Sequence, residues 1–133
     1  MRANPRVKIY KNAWFAKFAR RERITDAALC DAIARAERGL IDADLGGGVI
    51  KQRVAREGAG KSGGYRTLIL FRQAERAIFA FGFAKSDQDN LSERELVFYK
   101  RMAKLMLALT PREFEMELKL QALEEVRNDH KDL

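Results

Sequence analysis

Closely spaced cations in one short segment are the feature of this sequence with the clearest chemical use. Residues 46–66 read GGGVIKQRVAREGAGKSGGYR, and Lys51 and Arg53 stand two positions apart in its apolar part. Residues two apart on a strand project to the same face, so these side chains are predicted to point together. Arg66 begins the next apolar run. Paired cations on a sheet are suited to binding phosphate, and we interpret them as a phosphate-binding site.

RNA can be cleaved without a metal when the 2′-hydroxyl of the RNA attacks the adjacent phosphate, and cations on a protein surface can promote this reaction. The site must orient that hydroxyl, stabilise charge on the phosphate oxygens and manage two proton transfers. The planar fork of arginine matches phosphate geometry, and a lysine crowded by other cations can exchange protons near neutral pH. No metal or other cofactor is expected. The predicted catalytic residues, which could converge at one end or one face of a small sheet, are Lys51, Arg53, Arg66 and Lys85.

Further side chains near this set are predicted to bind RNA, namely Arg56, Lys61, Tyr65 and Arg76. For Arg76, and for Arg72 across a short turn, the alternative is that cations keep a sheet edge soluble and unpaired. Tyr65 could stack on a base or cover the core. Alternating aromatic residues of a later strand are expected to share one face and to pack in the core: Phe79, Phe81 and Phe83.

Other chemistries lack the residues that they need. The run Gly60-Lys61-Ser62 suggests a phosphate-binding P-loop, but Ala55 stands where its first glycine is required, and a strand rather than a helix follows. The single histidine, His130, and the single cysteine, Cys30, cannot form a zinc site of the usual kind. A nucleophilic serine or cysteine would depend on that same histidine as its base.

Charge and cysteine content fit one intracellular domain. The 133 residues carry a net charge of +7, with basic blocks at 1–23 (+7) and 51–85 (+6) and acidic blocks of −3 at 24–50 and 86–133. This alternation is expected if one surface meets a polyanion. Lone Cys30 excludes an internal disulfide and suits a reducing compartment. No apolar run approaches the roughly 18 residues that a membrane span needs, so the protein is predicted to be cytoplasmic.

The elements that must position the cations follow from local signals. Strands are predicted over residues 7–10, 49–55, 65–72 and 76–84, with a flexible connection at 45–48 and a glycine-rich loop at 57–64. Helices are predicted from 12 to about 20, from 25 or 26 to before Gly39, from 92 to about 109, and from 111 to about 122. Over 114–122 apolar and polar residues also alternate as in a strand, but the strong helix formers there favour a helix. The signals are an Asn or Thr cap, a capping box at Ser92, and proline at a first helical position.

The segment quoted above, paired with the later RAIFAFGFAKSDQDNL, resembles the RelE/HigB-type toxins of bacterial type II toxin–antitoxin systems over about residues 5–108. The resemblance implies a small α+β, RelE-like fold: a twisted antiparallel sheet with N-terminal helices and a C-terminal helical extension. Residues 1–109 would form the toxin domain and 110–133 the extension of the same domain. The resemblance also implies a metal-independent endoribonuclease that cleaves mRNA in the ribosomal A site.

Carried over by position, the resemblance implies that the family's basic strand residues fall on Lys51 and Arg53, its arginine after Gly-Tyr on Arg66, and its basic residue after the last strand on Lys85. Lys61 belongs to a loop of the subgroup. Some members have an arginine where this chain has Ser86, and a C-terminal tyrosine whose nearest counterpart here is Tyr99, so the general acid and base stay unassigned.

Two other functions remain open at this point. One is a gyrase-inhibiting toxin resembling ParE, although such chains tend to lack clustered strand cations. The other is a non-enzymatic nucleic-acid-binding module. The expected partners are mRNA on the ribosome, with contacts to ribosomal RNA, and a cognate antitoxin whose acidic or amphipathic segment covers the basic blocks. Neither a membrane nor a small-molecule cofactor is expected.

Overall fold

A six-stranded sheet with helices packed on both faces dominates the computed structural model, which describes residues 7–56, 60–84 and 91–127, with the backbone alone for 60–62. The strands are β1 (Lys8–Asn12), β2 (Ala43–Gly46), β3 (Val49–Arg56), β4 (Gly60–Arg72), β5 (Arg76–Ala84) and β6 (Leu123–Glu125). The helices are α1 (Ala13–Glu22), α2 (Asp26–Glu37), α3 (Glu93–Met106) and α4 (Pro111–Lys119). The predicted α+β class is confirmed.

The strands lie in the order β2-β3-β4-β5-β1-β6, and most neighbours are antiparallel. The exception is the pairing of β1 with β5, which is parallel. The expectation of an antiparallel sheet therefore holds for the β2–β5 meander, whereas the complete sheet is mixed. Local turn signals predict the meander, but nothing local indicates where the N-terminal strand will insert.

Two apolar clusters lie on opposite faces of the sheet. The first joins α1 and α2 to the sheet through side chains such as Phe15, Ile33 and Val54. The second joins α3 and α4 to it through Ala103, Phe114 and residues of β4. Successive residues of a strand pack into opposite clusters, because successive side chains of a pleated strand point to opposite faces. Among the described helices, none combines the length and the apolar character that crossing a membrane requires.

All four helices begin where side-chain caps predict them to begin. The Asn12 side chain accepts a hydrogen bond from the Phe15 amide (2.8 Å), and Thr25 caps α2 in the same way. Reciprocal capping boxes start α3 at Ser92 and α4 at Thr110. These bonds satisfy amide donors that a helix end would otherwise leave open. Local sequence therefore settles the helix starts.

Several boundaries differ from the sequence prediction, among them the end of α3, which lies at Met106 rather than near 109. The connection expected at 45–48 belongs in part to β2, and the chain then reverses through glycines at 46, 47 and 48 with φ of +85°, +63° and +87°. Strand β4 begins at Gly60, inside the predicted glycine loop, because its first residues still pair with the end of β3. The last helix ends at Lys119 rather than near 122, and the unpredicted β6 follows it.

The alternating phenylalanines do not share one face, which corrects the prediction. Phe79 packs in the cluster under α1 and α2, whereas Phe81 packs against the cluster under α3 and α4. A register shift between β4 and β5 separates them, since Ile69 pairs with Phe79 while Leu68 pairs with Phe81. Such a bulge adds one residue to one strand, so the side chains beyond it point to the opposite face from the one that strict alternation predicts. Core packing itself is observed, with Phe79 fully buried and Phe83 only 6% exposed.

A buried lysine ties the C-terminal strand to the rest of the fold. Lys11 on β1 is 6% exposed, and its Nζ lies 3.4 Å from Asp26 at the start of α2 and 3.3 Å from Glu124 on β6. Asp26 also accepts a hydrogen bond from the Arg127 amide (2.8 Å). A buried ammonium needs such pairing because its desolvation is costly. Helix α2, β1 and β6 are thus joined through one charge cluster.

Candidate phosphate-binding face

Three cations project from the centre of the β3–β4 pair. Ile50 and Val54 of β3 pack in the cluster under α2, so the intervening Lys51 and Arg53 face the opposite side of the sheet. Arg66 of β4 stands directly opposite Arg53 and shares its side. We call Lys51, Arg53 and Arg66 the cationic face. The structure thus brings together three of the four residues predicted to be catalytic.

The backbone beneath the cationic face is fixed by two fully buried polar side chains. Gln52 Nε2 donates to the carbonyls of Ala32 and Leu40, at 3.0 Å each, and its Oε1 accepts from the Asp42 amide (3.0 Å). Thr67 Oγ1 donates to the Gln52 carbonyl (2.8 Å). Both side chains have 0% exposure. The sequence analysis missed them, although a glutamine is a detectable signal when the residues two positions before and after it on the strand are apolar.

Arg53 keeps a half-exposed side chain while its backbone is held on both sides. Asp42 Oδ2 accepts from the Arg53 amide at 2.7 Å, and Arg35 Nη2 donates to the Arg53 carbonyl at 2.7 Å. The ion pair between Arg53 Nε and Asp42 Oδ2 is long (3.8 Å), and the arginine side chain is 47% exposed. Such a pair contributes little. The guanidinium therefore remains able to bind another anion.

Arg66 occupies an unfavourable position for a cation. Arg66 stands directly opposite Arg53 of the neighbouring strand β3, and like charges directly opposite on a sheet destabilise the sheet. On the other side, Arg66 pairs with the nearly buried Phe83. Its Nη1 is buried without a hydrogen-bond partner among the described residues. A buried donor left open costs free energy that a bound oxygen anion would recover.

Tyr65 lies on the other side of the sheet from the cationic face, in the cluster under α1 and α2. Its side chain is 1% exposed and packs edge-on against Phe18 of α1. The hydroxyl donates to Glu22 Oε1 at 2.9 Å. Burial, and then the bond to Glu22, raise the pKa of Tyr65. Of its two predicted roles, covering the core is the one observed.

Arg56 and Arg76 also lie apart from the cationic face. The Arg56 guanidinium is 5.7 Å from the Tyr65 ring centroid, on the α1 side. Arg76 Nη1 donates to the carbonyls of Met106 (3.0 Å) and Leu109 (3.2 Å), and the guanidinium lies 4.0 Å from the Phe114 ring centroid. Arg76 thus caps the C-terminus of α3. This explains an arginine beside the β4–β5 turn without RNA.

Two remaining predicted residues fall on parts of the chain that carry no side-chain description. Lys85 lies outside the described residues. Lys61 lies in β4, where only the backbone is described. Their predicted roles in catalysis and RNA binding stay predictions.

Tyr99 is the phenol that α3 brings to this side of the sheet. Its ring centroid lies 5.7 Å from that of Phe81, whose strand partner Leu68 stands opposite Lys51. Burial, and then the neighbouring Glu95, raise the pKa of Tyr99. The hydroxyl is therefore protonated at neutral pH and can donate a proton but not accept one.

Comparison with known proteins gives a family for this chain. A family model described as the RelE toxin of the RelE/RelB toxin–antitoxin system matches residues 7–126. The match runs from β1 through β6 and so extends beyond the resemblance recognised in the sequence, which ended near residue 108. None of the curated proteins matches the chain.

Proposed function

Since this chain belongs to the RelE toxin family of RelE/RelB toxin–antitoxin systems, we propose that its cationic face cleaves mRNA during translation. The reaction needs no metal: the 2′-oxygen of a ribose bonds to the adjacent phosphorus, and the bond from phosphorus to the 5′-oxygen of the next nucleotide breaks. The products are a 2′,3′-cyclic phosphate and a 5′-hydroxyl. One proton leaves the attacking hydroxyl, and one reaches the departing oxygen.

In this proposal the arginines stabilise charge, and the lysines assist them. Arg53 and Arg66 bind the non-bridging phosphate oxygens, on which negative charge grows as the fifth bond to phosphorus forms. Lys51, on the same strand face, and Lys85 complete the set. Arginine suits this task because it stays charged and presents two parallel donors. Tyr99 is a candidate donor of the proton to the departing oxygen.

The observation that carries the proposal is the direct opposition of Arg53 and Arg66, one of which has a buried, unpartnered nitrogen among the described residues. Neither feature stabilises the fold, since like charges repel and an open donor is costly. Both become favourable when a phosphate lies between the two guanidinium groups. Strained or unsatisfied groups of this kind concentrate at functional sites.

Dependence on the ribosome follows from how little of the substrate three cations can hold. A partly exposed face with three charges binds RNA weakly and in a salt-sensitive way. Ribosomal RNA and a fixed mRNA codon would supply the alignment that the protein lacks. We therefore propose cytoplasmic action on translating ribosomes and restraint by a cognate antitoxin that covers the basic surface.

A cell-free translation assay tests the proposal. Wild-type protein is expected to arrest translation and to leave mRNA with new 5′-hydroxyl ends at codon positions, while ribosome-free RNA is cut poorly. Arg53→Met and Arg66→Met are each expected to reduce cleavage about 10²- to 10³-fold, the usual effect of losing one charge-stabilising donor. Arg38→Met, at an exposed arginine after α2, is the matched control and should leave cleavage unchanged.

Two results would contradict the assignment. The first is undiminished cleavage by the Arg53→Met/Arg66→Met double variant. The second is inhibition of DNA supercoiling by gyrase without any effect on translation, which would indicate a ParE-like toxin instead. Circular dichroism and thermal melting of each variant establish that a loss of activity is not a loss of fold.

A further inference from the structure

Aromatic side chains lie exposed beside the cationic face. Trp14, at the start of α1, is 43% exposed, and Phe98 on α3 is 55% exposed. Single exposed apolar residues are ordinary, but adjoining exposed aromatics mark binding surfaces more often. These two are joined through two further rings. The arrangement raises the question of what they bind.

The four rings form a continuous series. The Trp14 ring centroid lies 4.7 Å from that of Phe81, Phe81 lies 5.7 Å from Tyr99, and Tyr99 lies 5.1 Å from Phe98. Phe18 supports Trp14 from the helix side, with stacked rings 5.3 Å apart. Centroid separations in this range are those of packed aromatic pairs, so the exposed rings are held in place.

The series of four rings lies beside the cationic face, because Phe81 is on β5 and Arg66 is on the neighbouring strand β4. Phe83 on β5 pairs with Arg66, and the Phe83 and Phe81 rings lie 6.0 Å apart. Strand β1 reaches β5 only as far as Ala80, whose carbonyl accepts from Asn12 Nδ2, and Trp14 follows just beyond that point. Counting from β3 across β4 to β5, about two strand spacings or roughly 10 Å separate the backbone of Arg53 from that of Phe83.

Cations beside held aromatic rings are the combination that binds single-stranded nucleic acid. The cations track the phosphates, and the rings stack on unpaired bases regardless of sequence. We propose that Trp14 and Phe98 form a stacking platform for unpaired bases of the RNA whose backbone the cationic face holds. This inference rests on the proposed function of that face. It adds a role for α1 and α3, which carry none of the predicted RNA-binding residues.

The charge of the neighbouring surface favours RNA over an apolar protein segment as the occupant. On one side Phe83, whose ring lies 6.0 Å from that of Phe81, stands opposite Arg66, and on α3 Lys100 and Arg101 follow Tyr99. A protein segment that covered only the rings would not contact these cations. A single strand of RNA uses both surfaces at once, because phosphates and bases alternate along it.

Intrinsic fluorescence gives a direct test, since Trp14 is the only tryptophan in the chain. The probes are a short oligoadenylate with 2′-O-methyl riboses, which cannot undergo 2′-hydroxyl attack, and an abasic oligomer of the same length. The adenylate is expected to quench Trp14 fluorescence and to bind about 5- to 150-fold more tightly than the abasic oligomer. Phe98→Ala should reduce that preference, whereas Met116→Ala, at a 53% exposed residue of α4, should not.

The outcomes separate the platform from the cationic face. Equal affinity for the two oligomers without quenching would overturn the platform and leave the phosphate role intact. Unchanged binding of both oligomers by Arg53→Met/Arg66→Met would instead contradict the proposed function. Quenching by an amphipathic acidic peptide but not by RNA would also overturn the proposal, because it would assign the platform to a protein partner.

Discussion

Replacing Arg66 by methionine is expected to stabilise this protein while it removes activity. Methionine keeps a long, unbranched side chain for packing beside Phe83 but carries neither charge nor donor. The change therefore removes two unfavourable features together: the repulsion from Arg53 across the strand pair and the buried Nη1 without a partner among the described residues. A residue selected for folding alone would not show this behaviour.

The magnitude follows from those two features. Like charges directly opposite on a sheet cost about 0.2–1 kcal/mol, and an unsatisfied buried donor costs about 1–3 kcal/mol. Some of this gain is offset by contacts that the guanidinium makes along the strand. We expect the free energy of unfolding of Arg66→Met to rise by about 1–2 kcal/mol. For a chain of this length the melting temperature should then rise by roughly 3–8 °C.

Urea denaturation at two salt concentrations is the appropriate assay. The Debye length falls from about 30 Å at 0.01 M to about 3 Å at 1 M salt, so the part of the gain that comes from repulsion should shrink at high salt. Arg56→Met is the matched control for stability, because this exposed arginine of the neighbouring strand β3 stands opposite Gly60 rather than a cation. Its unfolding free energy should change by less than about 0.5 kcal/mol. A destabilisation of Arg66→Met by more than about 1 kcal/mol would refute the reasoning.

Two further predictions concern Arg76 and Tyr65, which lie apart from the cationic face. Arg76→Met should lower the free energy of unfolding by about 1.5–3 kcal/mol, since α3 loses its cap, and should leave oligomer binding unchanged; urea midpoints against exposed Arg72→Met check this. The pKa of Tyr65 is higher in the folded chain than in the unfolded chain, so the protonated hydroxyl stabilises the fold. This stabilisation is complete below about pH 10 and is lost as pH rises through the raised pKa. Urea titrations at about pH 8 and 11 should show a smaller alkaline loss for Tyr65→Phe, and an equal loss would contradict the role of Glu22.

Local chemistry made much of this fold predictable. The four helix starts follow from short-range hydrogen bonds at Asn12, Thr25, Ser92 and Thr110, and these bonds depend only on neighbouring residues. The β4–β5 hairpin follows in the same way from its turn. The pleat likewise places Lys51 and Arg53 on one side of the sheet, as their spacing indicates.

Long-range features could not be read from local signals. The parallel insertion of β1, and the pairing of β6 with it, join segments from opposite ends of the chain. The register shift that separates Phe79 from Phe81 depends on how two strands meet, so strict alternation gave the wrong faces. Tyr65 and Arg76 have side chains typical of RNA-binding surfaces, but tertiary contacts with Glu22 and with the end of α3 use them for packing and capping.

The charge cluster around Lys11 on β1 makes completion of this fold depend on residues 123–125. Until residues 123–125 arrive, the outer edge of β1 has no strand beside it, and Lys11 lacks one of its two carboxylates. Closing a contact between such distant segments is entropically slow, so this step belongs late in folding. A nascent chain would thus leave this edge of the sheet unfinished until residues 123–125 have been synthesised. Under the proposed action on translating ribosomes, that delay would help to protect the ribosome that makes the protein.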